Sequence, residues 1–227
     1  MIKKIAVIVA AGSGARMGSA IPKQFLLLRN KPLLWYSIAA FQNAFEDIEI
    51  VLVVAPEYFT HAEQIRFSSR NPEKVKIIAG GKTRFESVQN GLENITEKAA
   101  IIFVHDGVRC LVTPDLIRRC YEKAVETGNA IPAIAPVDSI RMGTADGNKP
   151  VRREMVRMIQ TPQTFKSEII KAAYRQDYQE LFTDEASVAE KLGIRINLVE
   201  GEPANIKITS PTDLAIAEII LQERNTD

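Results

Sequence analysis

The sequence predicts an α/β fold: a mostly parallel sheet covered by helices on both faces, plus an extended β-arm at about residues 138–158. Three observations predict it. Short β-branched runs alternate with segments of helical periodicity, the runs are apolar nearly throughout, and one stretch breaks that rhythm around a Gly/Asp/Asn-rich centre. Strands that are apolar on both sides need cover on both sides, which is the condition of a parallel sheet rather than of an antiparallel one.

Four runs read as strands: "KIAVIVA" (Lys4–Ala10), "IEIVLVVA" (Ile48–Ala55), "KVKIIAG" (Lys74–Gly80) and "AIIFVHD" (Ala100–Asp106). Helix starts carry cap chemistry. "TRFE" at Thr83–Glu86 fits a capping box, with Phe85, Val88, Leu92 and Ile95 along one face. "TPDL" at Thr113 and "SPTD" at Ser210 place Pro at the first helical position after a capping hydroxyl. "TDEA" at Thr183 puts two acids in a first turn, where the helix dipole favours them. From Asp138 to Met158, alternation around "TADGNKP" reads as a hairpin arm. An arm leaving a compact body needs a surface to pack on, and a second copy of the chain is the economical one, so a homodimer is expected. The 227 residues suffice for one Rossmann-like domain, 1–227, with 138–158 as its dimerisation arm.

Charge narrows the class. Lys and Arg total 29 against 28 Asp and Glu, a formal +1, which argues against a broad nucleic-acid surface. The N-terminal "MIKKIAVIVAAG" is too short to span a bilayer and runs directly into glycines, so it reads as a core strand; no membrane partner and a cytoplasmic location are expected. Cys110 and Cys120 fit no disulfide framework or metal spacing and are expected as free thiols; Cys110, although beside Arg109, reads as a small loop residue rather than a reactive one.

The loop after the first strand, "AAGSGARMGSAIPKQF", carries the chemistry. Gly12, Gly14 and Gly18 give G-x-G-x-x-x-G, one residue longer than the dinucleotide fingerprint, and no acidic residue closes the second strand. No Walker A pattern can be drawn either, and the fingerprint's failure sets a hydride-transfer enzyme aside. Gly12 and Gly14 still allow backbone N–H groups to approach a phosphate, while Arg16 adds a fork of donors and Lys23 a compact charge. Two cations beside a glycine turn suit a polyphosphate that is cleaved.

This loop resembles that of nucleotidyltransferases joining a nucleoside triphosphate to a phosphorylated sugar or polyol. With "AGGKTRFESVQNGL", "VHDGVR", "QTPQTF", "TDEAS" and "VEGEPANIKITSPTDLAIAE" in order, residues 2 to about 222 are similar to the 2-C-methyl-D-erythritol 4-phosphate cytidylyltransferase family of non-mevalonate isoprenoid synthesis. The resemblance implies attack of a substrate phosphate on the α-phosphorus of CTP, with Mg2+ delivered on CTP and no dedicated metal ligands. It implies Arg16, Lys23, Arg153 and Lys207 as catalytic residues. It implies CTP contacts from Ala10, Ala11, Gly12, Gly14, Lys23, Gly80, Gly81, Ser87 and Asp106. The polyol phosphate would meet Asp106, Arg109, Ser139, Arg153, Thr161, Thr183 and Lys207. Ser87 and Thr183 also have structural readings as helix-terminus hydroxyls, and Asp106 as a turn aspartate. Cys110 stands where the family usually shows proline, and Ser139 where threonine is common.

Two other readings compete. Ribitol-5-phosphate cytidylyltransferases share the loop, the "QTPQ" segment and the "NIKIT" lysine. A non-catalytic nucleotide-binding module would need the fold, but not cations at both phosphate sites.

Overall fold

The computed structural model describes residues 2–12 and 21–224. In chain order, β1 (Lys3–Ala10) is followed by a short hairpin, β2 (Leu27–Leu28) and β3 (Lys31–Pro32), then α1 (Leu33–Ala44), β4 (Glu49–Val54), α2 (Phe59–Phe67) and β5 (Val75–Ala79). Next come α3 (Arg84–Glu93), β6 (Ala100–Asp106), α4 (Pro114–Thr127) and β7 (Asn129–Ile134). The hairpin β8 (Ile140–Gly143) and β9 (Asn148–Val151) precedes β10 (Met158–Ile159), β11 (Gln163–Lys166), α5 (Ser167–Ala173), α6 (Glu185–Glu190), β12 (Leu198–Glu200) and α7 (Pro211–Arg224).

β1 is the pivot. It pairs in parallel with β4 on one side, where β5 follows, and with β6 on the other. Beyond β6 lies β11, antiparallel to both β6 and β7. β10 continues the β11 edge along β7, and β12 pairs with β7 in parallel. The sheet is therefore mostly parallel, with β10 and β11 running in the opposite direction.

The four strands read from sequence are β1, β4, β5 and β6, and their apolar character has the expected cause. Ala6, Ile8, Leu52, Val54 and Phe103 pack into the layer that also holds Ile38, Phe41, Leu116 and Ile117 of α1 and α4. Their neighbours Ile5, Val7, Val53, Ile102 and Val104 pack with Phe85, Val88 and Leu92 of α3, Ile170 of α5 and Val188 of α6. Period-2 alternation sends successive side chains to opposite faces, so only a strand apolar at every position suits both layers. A third cluster seats Ala217 of α7 on Leu28, Leu33, Leu111 and Ile208.

The caps hold α3 and α4 in place beside the sheet. Thr83 Oγ1 accepts from Glu86 N at 3.0 Å while the Glu86 carboxylate accepts from Thr83 N, a reciprocal capping box. Thr113 Oγ1 accepts from Leu116 N at 3.1 Å; caps of this kind stabilise a helix by about 1 kcal/mol each. For α6 the cap is Asp184, whose Oδ1 accepts from Ser187 N at 2.9 Å, one residue later than the Thr183 reading.

The arm is present as the β8–β9 hairpin, exposed along nearly its whole length. It ends earlier than residue 158. Met158 pairs opposite Ile134 and is already part of the main sheet.

Candidate active site

The chain moves outward from β1 through β4 to β5, then returns to the other side of β1 at β6. That reversal leaves a crevice at the carboxyl ends of β1 and β6, the place where open α/β sheets take ligands. Val9 and Asp106 are register partners at the ends of these two paired strands. A cavity of about 380 Å³ opens there, lined by Val9–Gly12, Lys23 and Gln24, Gly81–Arg84, Ser87, Asp106, Val108 and Lys207.

One wall is backbone. Gln24 Nε2 donates to the carbonyls of Ala10 at 2.6 Å and Gly12 at 2.9 Å, tying the end of β1 to the segment that returns to it. Across from it, a Cβ on Gly80 would collide with Ala11 Cβ and crowd Ser87 Oγ, so the two backbones approach this closely because Gly80 has no side chain. Ser87 Oγ accepts from Gly81 N at 3.1 Å and donates to Thr83 O at 2.8 Å, which fixes the Gly81 amide beside the cavity.

The other wall is charge. Among the described residues, Lys23, Lys82, Arg84 and Lys207 face the cavity against one carboxylate, Asp106. Lys23 Nζ donates to Ile208 O at 2.8 Å, next to Lys207 in the chain. Lys207 Nζ lies 2.8 Å from Asp106 Oδ2, and Arg84 Nε donates to Asp106 Oδ1 at 3.1 Å. Burial alone would raise the Asp106 carboxyl; Arg84 and Lys207 outweigh it and hold the group well below the usual carboxylate range. Asp106 is thus a fixed anion in a cationic cleft.

Behind the wall runs a second set of bonds. Arg84 grips the fully buried Glu185 with both terminal nitrogens, at 2.5 and 3.1 Å, and Tyr174 Oη donates to Glu185 Oε1 at 3.1 Å. Arg109 O can only accept, so His105 Nε2 carries the hydrogen that faces it at 3.3 Å, and Nδ1 of the neutral ring accepts from Thr161 Oγ1 at 3.0 Å. Thr161 Oγ1 in turn accepts from Asp106 N at 3.1 Å. Burial lowers His105 to about 3, so the ring is neutral. Among the described residues no group of three or more His, Cys, Asp or Glu is placed to hold a metal.

A cleft with this charge suits a polyphosphate, and similarity to known proteins gives the chain a family. The profile described as IspD, 2-C-methyl-D-erythritol 4-phosphate cytidylyltransferase, matches residues 4–223. The chain belongs to that family. It is 40% identical to the 2-C-methyl-D-erythritol 4-phosphate cytidylyltransferase of Bacteroides thetaiotaomicron over 220 residues, 97% of this chain and 100% of that one. Among solved structures, the 4-diphosphocytidyl-2C-methyl-D-erythritol synthase of Anaerococcus prevotii superposes with a TM-score of 0.84 at 25% identity, covering 97% of this chain and 99% of that one. The 2-C-methyl-D-erythritol 4-phosphate cytidylyltransferase of Thermus thermophilus gives 0.77 at 29% identity, covering 98% and 100%.

The family's sequence-implied residues fall into three groups here. Ala10, Ala11, Gly12, Lys23, Gly81, Ser87, Asp106 and Lys207 line one cavity, with Gly80 immediately behind it. Gly14, Gly18 and Arg16 lie outside the described residues. Arg109, Ser139, Arg153, Thr161 and Thr183 do not line the cavity. Thr161 is buried under Asp106, and the Arg109 guanidinium donates to Asn205 O at 2.7 Å. Ser139 and Thr183 are exposed, and Arg153 is exposed beside the arm, where it donates to Val137 O at 2.8 Å.

Arg84 and Glu185 were missed from sequence, although one signal was available. Arg84 is the first residue of α3, where a cation opposes the helix dipole, and such a residue needs anions nearby to hold it. Cys110 and Cys120 are both buried free thiols, and burial pushes each up to about 12, which agrees with the reading of Cys110 as a small packing residue.

Proposed function

We propose that this chain joins CTP to 2-C-methyl-D-erythritol 4-phosphate, releasing pyrophosphate and forming the CDP-linked polyol of non-mevalonate isoprenoid synthesis. The observation that carries the reading is the cationic crevice at the turn-back of the sheet, in a chain that the family matches over residues 4–223.

The chemistry asks little of acid–base groups. A phosphomonoester has a second pKa of about 6 and is largely dianionic at neutral pH, so it attacks without a general base. A buried neutral His105 suits a site that moves no proton. The barrier is electrostatic, because two anions must meet and negative charge grows on the α-phosphate and on the leaving pyrophosphate. Lys23 and Lys207 supply fixed positive charge, joined by Arg16 of the glycine-rich loop. The backbone of Ala10–Gly12 cradles the triphosphate, and Gly80, Gly81 and Ser87 read the base edge. In-line positioning lowers the barrier further.

A single carboxylate in the cavity fits Mg2+ that arrives on the triphosphate and completes its shell with water and phosphate oxygens. Asp106 would hold it. When bound, the ion neutralises charge on the phosphate oxygens.

Arg153 and Ser139 lie on or beside the arm and away from this cavity, and Val137, Met142 and Met155 expose 82%, 56% and 77% of their surface there. An arm with this much exposed apolar surface is what a second copy would cover. In such a homodimer Arg153 completes the polyol-phosphate site of the neighbouring subunit. Among the described residues no helix is long and apolar enough to cross a membrane. Both substrates are small charged molecules of the cytoplasm, and we place the enzyme there with them.

Phosphorus NMR of a mixture of protein, CTP, Mg2+ and 2-C-methyl-D-erythritol 4-phosphate tests the reading. It predicts loss of the triphosphate signals and growth of pyrophosphate and diphosphate-diester resonances. Persistence of intact CTP contradicts it.

A further inference from the structure

Glu185 is the most deeply buried charge near the site, and nothing in the chemistry above uses it. It lies 101 residues from Arg84, belongs to α6, and does not line the cavity. Its side chain is fully buried, and both of its oxygens are taken by the Arg84 fork, with Tyr174 Oη added on one. Arg84 in turn faces the cavity and donates to Asp106 Oδ1 from its Nε. One planar guanidinium therefore bridges a buried carboxylate behind the site to the reactive-site carboxylate in front of it.

We propose that Glu185 is a positioning residue that acts on Asp106 through Arg84; the inference rests on the cytidylyltransferase reading above. Two physical effects follow from the geometry. The bidentate pair fixes the plane and rotamer of Arg84, because a fork-to-fork bond leaves the guanidinium no free torsion. That in turn fixes Asp106 with Oδ2 toward Lys207. The second effect is charge. The Glu185 carboxylate balances the Arg84 charge from behind, so that Arg84 is shared between two carboxylates; an amide at position 185 leaves Arg84 with Asp106 as its one carboxylate partner.

Residues that act through a common link give non-additive losses, whereas separate structural damage adds. A double-variant cycle on kcat/KM for CTP, followed by pyrophosphate release, reads this directly. Glu185→Gln should lower kcat/KM about tenfold in the wild-type background and less than about twofold in an Asp106→Asn background. The Asp106→Asn enzyme, lacking one charged group of the site, is expected to keep on the order of a hundredth to a thousandth of turnover, which remains measurable. Thermal unfolding followed by circular dichroism confirms that each variant is folded. If Glu185→Gln does not fold, Arg84→Lys replaces it in the same cycle: it keeps the charge but loses the fork that joins the two carboxylates. Equal losses in both backgrounds, or no loss in the wild-type background, overturn the inference and leave the enzyme assignment standing. A wild-type protein inactive with CTP and methylerythritol phosphate overturns both.

Discussion

Lys207 Nζ and Asp106 Oδ2 stand 2.8 Å apart inside the cavity that both residues line. Asp106 closes β6 while Lys207 comes from the segment leading into α7, so the contact joins the centre of the sheet to the C-terminal part of the chain. Lys207→Ala removes one of the cations that meet an incoming phosphate. Turnover should fall about hundredfold or more, the usual cost of losing a charge-stabilising group. The lysine side chain is 40% exposed, so the fold should survive. Steady-state pyrophosphate release, with circular dichroism as the folding control, checks this; a loss of less than about threefold would remove Lys207 from the machinery.

The distance between the arm and the cavity makes a second prediction. Lys23→Ala and Arg153→Ala should each collapse turnover alone, since Lys23 lines the cavity and Arg153 is assigned to the neighbour's site. Co-expressed, they form mixed dimers in which one site receives an intact Lys23 from one subunit and an intact Arg153 from the other. With random pairing, about a quarter of wild-type activity should return. A mixture as inactive as its components shows that the arm does not complete the partner's site.

His105 sets a pH dependence of stability. Burial lowers the folded-state ring to about 3, although the Asp106 charge opposes that shift. The unfolded chain binds a proton below about pH 6.5 that the folded chain refuses. Its contribution is therefore complete above that pH and falls as pH drops toward 3, by at most about 1.4 kcal/mol per unit. Urea unfolding of the wild type and His105→Asn between about pH 7 and about pH 4.5 should show the variant less stable at neutral pH but with a flatter decline. Parallel curves would contradict the assignment.

Much of this was legible in the sequence, for a physical reason. β1, β4, β5 and β6 are apolar over most of their length, and the Thr83–Glu86 box announces α3 from four consecutive residues. β7 and β11 were not legible. Pro132 sits inside β7, where a missing N–H argues against a central strand, and β11 is only the four residues "QTFK". That Gly12, Lys23, Gly81, Ser87, Asp106 and Lys207 gather at one place was readable through ordered motifs. Arg84 and Glu185 were hidden because a pair 101 residues apart leaves no local pattern, and Arg84 sat inside a motif already explained by capping.

The two thiols supply a simple check of core packing. Cys110 and Cys120 are both buried, and burial pushes each to about 12. Native protein should show no fast reaction with a thiol-exchange reagent at about pH 8, and both groups should react once the chain is unfolded in guanidinium. Rapid labelling of the native protein would place Cys110 in an accessible loop.

Pyrophosphate release decides the identity of the attacking phosphate. Purified protein with CTP and Mg2+ is given 2-C-methyl-D-erythritol 4-phosphate and ribitol 5-phosphate in parallel. Rapid release with methylerythritol phosphate, and little with ribitol phosphate, is the predicted result. Release with ribitol phosphate alone would show that methylerythritol phosphate is not the attacking substrate.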